Sequence, residues 1–219
     1  MKKNNILLLL ICIIFQMNSA AALEGTVEYN SVNIDYKILN AKKYAVSADK
    51  FLKLAEEKKQ PEDKKRFYYG EALGAYITAT EINPQLTDLY GKIGYIYGKL
   101  KKIGLAKAYL DKGLNMDINN PNINYYYGIV CSEMENYNAA LKYYKNAEKL
   151  KYKDKYDINM KLGETNEKLG DLVKAKEAYI KALSQKPDDE LLKDKIQKLE
   201  ELKYIDSVYY YRKKQYYYD

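Results

Sequence analysis

The chain has no histidine and no tryptophan, and it carries two cysteines in 219 residues. Histidine is the side chain whose ordinary pKa lies nearest neutrality and the commonest metal ligand. Its absence excludes Ser-His and Cys-His nucleophile pairs together with histidine-based zinc sites. Cys12 falls in an apolar run at the amino end, so Cys131 stands alone in the rest of the chain. A lone cysteine makes no internal disulfide. Cys131 occupies a place where the helical pattern wants a buried residue, and it reads as a small core hydrophobe. Arginine is nearly missing too: Arg66 and Arg212 are the whole supply. Base-edge and planar phosphate readout favour arginine, so nucleic acid is not expected as a partner. The formal net charge of +7 is therefore almost entirely lysine. Such an excess gives solubility and loose attraction to anionic membranes or polymers. No Asn-x-Ser/Thr acceptor occurs, which favours a bacterial envelope over a eukaryotic secretory route.

The amino end is basic (Lys2, Lys3), then unbroken apolar from Ile6 to Phe15, then small at Ala20, Ala21 and Ala22. The apolar run is too short for a comfortable membrane span. This order predicts a secretory signal over 1–22, cleaved after Ala22 or after Ala20; an uncleaved anchor is the alternative. Residues 23–34 have no helical period and read as a flexible lead-in. From Asp35 onward Ala41, Tyr44, Ala45, Ala48, Phe51, Leu52 and Ala55 recur at helical spacing. The charged stretch Lys58–Arg66, with Pro61, predicts a break, and Phe67–Ile82 a second helix. Together 35–86 forms a divergent first unit.

Three segments then repeat one another. Gly94, Gly128 and Gly163 fall at matching places, as do Ala106, Ala140 and Ala175. Ala79, Gly113, Ala147 and Ala182 keep the same step, and Ala72 stands one period before Ala106. The step is about 34 residues, the period of a helix–turn–helix repeat. Units at 87–120, 121–155 and 156–189 follow. Asn120 before Pro121 marks a helix start. The last step is one residue longer, which places an extra residue in Lys151–Asp157. After Pro187, Leu192, Ile196, Leu199, Leu202 and Ile205 give an apolar stripe to a capping helix over 190–211. A Tyr/Lys-rich tail fills 212–219. It reads as an interfacial tail, or as a frayed end with the composition of an AT-rich genome.

These residues resemble the tetratricopeptide repeat family. Tyr90-Ile93-Gly94-Tyr97 with Ala106-Leu110-Gly113 follow its pattern. So do Tyr127-Gly128 with Ala140-Tyr144-Ala147, and Leu162-Gly163 with Ala175-Tyr179-Ala182-Pro187. Asn124 and Asn159 replace the family's first aromatic, and Ile118 and Tyr152 its proline. The resemblance implies an all-α, right-handed solenoid of helical hairpins closed by the capping helix. Gly94 is expected to face Ala106, Gly128 to face Ala140, and Gly163 to face Ala175, because helices cross closely only where side chains are small.

The resemblance also implies a concave groove lined by the first helix of each unit. Carried over residue by residue, it shows Asp88, Tyr95 and Lys99, then Asn122, Tyr125, Ile129 and Glu133, then Asp157, Met160, Glu164, Glu167 and Lys168. Such a mixture suits an extended peptide or a partner's helix; plain solvated helix faces are the alternative. Tyr95, Ile129 and Glu164 stand where a terminal-carboxylate clamp needs asparagine or a basic residue, so no such clamp is expected. Glu164 and Glu167 could share a face as an acid/base pair, but nothing else catalytic joins them. The expected function is an exported, non-enzymatic scaffold that binds a protein or peptide in the envelope, without cofactor. The alternative is a peripheral surface protein held by its lysines and tyrosine tail. Ala140→Glu should cost several kcal/mol by burying a charge between repeats, as measured by loss of the cooperative transition in chemical denaturation.

Overall fold

A computed structural model describes residues 38–202. The signal, the lead-in and the tail therefore lie outside the described residues, as does the stretch 203–211 of the expected capping helix. All regular structure among the described residues is helical. No described helix is long and apolar enough to cross a membrane. The chain divides into two compact units at Gln85–Leu86.

In the first unit, α1 covers 38–55 and α2 covers Glu62–Ile82. Ala41, Ala48, Leu52 and Ala55 of α1 are buried, and so are Ala72, Tyr76 and Ala79 of α2. The Tyr76 hydroxyl donates to the Asp49 carboxylate and ties the two helices together. Tyr44, placed on the inner face by the period, is 42% exposed. The break is also shorter than the charge pattern suggests. Pro61 caps α2, and Glu62 and Asp63 fill its first turn. Carboxylates there complement the positive end of the helix dipole, so the charged run feeds the helix.

The second unit stacks hairpins. Its helices are α3 (Thr87–Lys99), α4 (Ile103–Met116), α5 (Pro121–Glu133), α6 (Tyr137–Lys149), α7 (Lys155–Lys168) and α8 (Leu172–Leu183), followed by α9 over 190–202. The starts are written in local chemistry. The Asn120 side chain accepts from the backbone N–H groups of Asn122 and Ile123, with Pro121 in the first turn. Asn136, Asp154, Asp171 and Asp189 cap the later helices in the same manner. Each such cap is worth about 1 kcal/mol.

The glycines open the notches that let each hairpin close. A Cβ at Gly128 would stand 2.5 Å from the Tyr144 ring, one at Gly163 2.3 Å from Tyr179, and one at Gly94 2.5 Å from Leu110. These contacts lie closer than the expected glycine–alanine pairing. Ala140 and Ala175 are fully buried, yet the group seated in the notch is the residue four positions later, one turn along the second helix. Gly94 also meets its alanine, through the Ala106 carbonyl oxygen at 3.0 Å. Ala106, Ala147 and Ala182 are buried, and Gly113 is packed between Tyr90 and, from the next hairpin, Ile123. Asn124 and Asn159 are accommodated where the family has an aromatic because their amides donate back to the carbonyls of Asn120 and Lys155 at 2.9 and 2.7 Å.

The hairpin turns share one stop signal. Lys101, Glu135 and Gly170 are left-handed, with φ of 58°, 58° and 79°. At the first, Lys102 N–H reaches the Tyr97 carbonyl and Lys101 N–H that of Gly98, both at 2.9 Å; this crossed pair is the Schellman closure. Lys151, φ 62°, repeats it after α6, whereas α4 ends on the extended Asp117. The extra residue of the long step is thereby explained. It belongs to the 150–154 turn, since Lys155–Asp157 already lie in α7.

At the end of the array Ala175, Tyr179 and Ala182 bury Leu192 and Leu199 of α9, with Ile196 half-buried beside them. Leu202 is 48% exposed, and Ile205 lies outside the described residues. Ion pairs Lys195–Glu167 (2.9 Å) and Lys176–Glu200 (2.6 Å) fasten α9 to α7 and α8. A left-handed conformation costs a residue with a Cβ about 1 kcal/mol. Glu135→Gly should therefore raise stability by about 0.5–1 kcal/mol, and Gly170→Ala should lower it by about 1 kcal/mol. Denaturant midpoints measure both, and opposite signs would remove the strain from these turns.

Candidate partner-binding cleft

A cleft of about 270 Å³ opens between α5 and α7, floored by α6. Ile129, Ser132 and Glu133 come from α5, Tyr137 and Tyr144 from α6, and Lys161, Glu164, Thr165 and Lys168 from α7. Helical geometry explains the selection. Residues 161, 164, 165 and 168 follow the spacing of one helix face, as do 129, 132 and 133. Tyr144 reaches the floor because it fills the Gly128 notch from below. Its hydroxyl lies 3.4 Å from Ser132 Oγ, and burial raises its pKa above the ordinary tyrosine value, so it stays protonated. The volume is below the roughly 300–1,000 Å³ of clefts that enclose a small molecule. It suits one bulky side chain of a larger partner.

The rim is charged and mostly paired. Glu133 accepts from Lys99 at 2.7 Å and Lys101 at 3.0 Å. The Lys99 hydrogen bond holds its carboxylate below the usual glutamate range. Lys161 pairs with Glu164 at 2.9 Å. Lys168 is exposed and in no ion pair among the described residues.

Of the twelve groove residues read from the sequence, the cleft brings together Ile129, Glu133, Glu164 and Lys168. Lys99 stands at its edge through Glu133 and lies over the Tyr95 ring at 5.5 Å. Tyr95 meets Tyr126 of the next hairpin, with ring centroids 5.4 Å apart. Asp88 is exposed and accepts from the Asn120 amide at 2.7 Å. Asn122 lines a separate cleft beside the 152–156 segment. Tyr125 is only 6% exposed. Its hydroxyl donates to Asp157 and its ring stacks on Tyr152 at 4.3 Å, so both Tyr125 and Asp157 belong to the wall between hairpins. Burial raises the pKa of Asp157. Met160 packs into the terminal core.

Glu167 turns away to Tyr179, whose hydroxyl donates at 2.5 Å, and to Lys195. Burial pushes the Glu167 carboxyl up, but the hydrogen bonds from Lys195 and Tyr179 outweigh it and leave the group lowered. Glu164 and Glu167 are thus held by different partners and form no acid/base pair. The sequence reading missed Ser132, Tyr137, Tyr144, Lys161 and Thr165. The i, i+3, i+4, i+7 spacing around Glu164 was the signal available for the α7 members.

Glu133 makes the rim acid-sensitive. A carboxylate whose folded pKa is lowered contributes stability above its unfolded pKa and loses it as pH falls through the folded value. Asp157, raised by burial, has the opposite slope. Wild type should therefore lose more stability than Glu133→Gln between neutral pH and the acid range. The difference should stay below about 1 kcal/mol, since the pair is solvent-screened. Thermal unfolding across pH measures it, and equal slopes would exclude a role for the Lys99–Glu133 bond.

Comparison with known proteins agrees with this architecture. A family model described as tetratricopeptide repeat matches residues 87–120 and 156–189. Among solved structures, MamA is 27% identical, with 64% of this chain and 83% of MamA covered at a TM-score of 0.53. PilF of Pseudomonas aeruginosa is 20% identical over 78% of this chain and 76% of PilF, TM-score 0.58. The APC/C hetero-tetramer Cut9–Hcn1 aligns at 20% identity and TM-score 0.55, covering 64% of this chain but only 29% of the matched one. No curated protein matches the chain. Helical hairpins on this period, glycine notches filled from the second helix, and the matched family segments lead to one conclusion: residues 87–120 and 156–189 match the tetratricopeptide repeat, and the second unit has the all-helical, stacked-hairpin fold of such repeats.

Proposed function

We propose that the protein is an exported scaffold of the bacterial envelope that binds a protein or peptide segment in the α5–α7 cleft. The carrying observation is the cleft itself. An apolar floor of Ile129, Tyr137 and Tyr144 sits inside a rim of paired charges, with Lys168 left unpaired among the described residues. A floor that takes one apolar side chain and a rim that orients polar neighbours make a peptide-recognition site. Tetratricopeptide repeats serve as protein-interaction scaffolds, which supports the class of partner. Export rests on the sequence of residues 1–22 alone. The tyrosine tail of the surface-anchoring alternative lies outside the described residues.

Two measurements test the reading. Crosslinking in cells identifies the partner, and calorimetry then compares the wild type with Ile129→Asp and Lys168→Glu. Each substitution should weaken binding at least tenfold, equivalent to about 1.4 kcal/mol, while the circular dichroism melt stays unchanged. Full affinity in both variants would move the site elsewhere. Mass spectrometry of the protein from its native cells should show an amino terminus at Leu23 or Ala21; an intact Met1–Lys3 would end the export proposal.

A further inference from the structure

Six lysines follow one another along α6 and into the start of α7: Lys142, Lys145, Lys149, Lys151, Lys153 and Lys155, all exposed. None forms an ion pair among the described residues. Lys99, Lys101, Lys161, Lys174, Lys176, Lys181, Lys193 and Lys195, by contrast, each hold a carboxylate. Two acidic residues lie within the run, and both are engaged. Glu148 is half-buried with Lys181 at 3.6 Å, and Asp154 Oδ1 accepts the Asp157 N–H as the cap of α7. From the neighbouring turn, Asp171 pairs with Lys174 at 2.5 Å and is within electrostatic reach of Lys145 without an ion pair to it.

Lys142, Lys145 and Lys149 share one helix face by their spacing and draw a ridge about 10 Å long. The left-handed Lys151 then ends the helix and carries the line of charge into the turn. Helix stability does not account for it. A cation near the helix C-terminus is favoured only within the last turn, which covers Lys149 but not Lys142 or Lys145. The ridge also lacks what a protein interface needs. No large hydrophobic residue between 137 and 155 is strongly exposed, whereas interface cores use aromatic and apolar anchors and avoid lysine.

We infer that the outer face of α6, with the 150–154 turn, adsorbs to an anionic phospholipid surface. Lysine is a point charge on a flexible stem, suited to the diffuse field of headgroup phosphates rather than to bidentate recognition. Clusters of four to eight basic residues on a helix act this way, each worth about fivefold in partition at low ionic strength. With no apolar anchor, the contact is electrostatic and dissolves in salt. This inference stands independently of the α5–α7 cleft.

Vesicle sedimentation of the full chain tests it. One set of vesicles is phosphatidylcholine alone and the other contains one-third phosphatidylglycerol. The protein should sediment with the anionic set at low salt, and neither with the neutral set nor at high salt. Lys142→Gln/Lys145→Gln/Lys149→Gln should lower the partition at least tenfold. Lys42→Gln/Lys43→Gln/Lys50→Gln, which removes equal charge from the first unit, should change it less than about threefold. These are exposed sites, so unchanged helical content and melting are expected; the single Lys145→Glu gives a second reading with minimal perturbation. Equal loss in both triple variants would reduce the effect to net charge and overturn the assignment. So would binding to neutral vesicles, or retention on immobilised heparin with no vesicle binding.

Discussion

Everything in the second unit depends on one steric fact: the first helix of each hairpin gives up a side chain where the second helix must enter. Gly94, Gly128 and Gly163 are the three surrenders, and Leu110, Tyr144 and Tyr179 fill them. The seated groups are at most 1% exposed. Burying a tyrosine or leucine of that size contributes about 2 kcal/mol, and a helical glycine costs about 1 kcal/mol against alanine. The exchange is favourable only because the neighbouring ring takes the vacated space. The notch also sets the site, since the residue that fills Gly128 is the one that floors the cleft.

The period itself was legible because it is steric and one-dimensional. Glycine and alanine recur where backbones must approach, and no solvent-facing requirement blurs them. Asn120–Pro121 was legible because a cap is a local hydrogen bond with a local sequence signature. The residue that fills each notch was not, because the sequence does not say which neighbour comes nearest to the glycine. The first unit misled for a different reason. Its charged stretch resembles a linker, and the helix begins five residues earlier than expected because Glu62 and Asp63 suit an N-terminus.

The groove was read at the level of helix faces and missed at the level of single side chains. Tyr125 and Asp157 occupy positions that present ligands in the resembled family. Here they meet each other across the hairpin boundary, and their polar atoms serve the stack rather than the surface. Glu167 is lost to α9 in the same manner. Position along a repeat fixes the direction of a side chain, but the identity of its neighbour one repeat on decides whether it stays available. That information is 32 to 33 residues away for the pairs Tyr125–Asp157 and Tyr156–Asp189, and no local pattern holds it.

Those two tyrosine–aspartate bonds, with Asp88–Asn120, all cross between hairpins near the N-terminal ends of α3, α5 and α7. The opposite ends of α3 and α5 are joined by Lys99 and Lys101 on Glu133, in contact with solvent. The stack is therefore fastened with half-buried links along one edge and with water-screened ones along the other. Salt therefore weakens the Lys99 and Lys101 links to Glu133, which join α3 to α5, more than the half-buried links of the other edge.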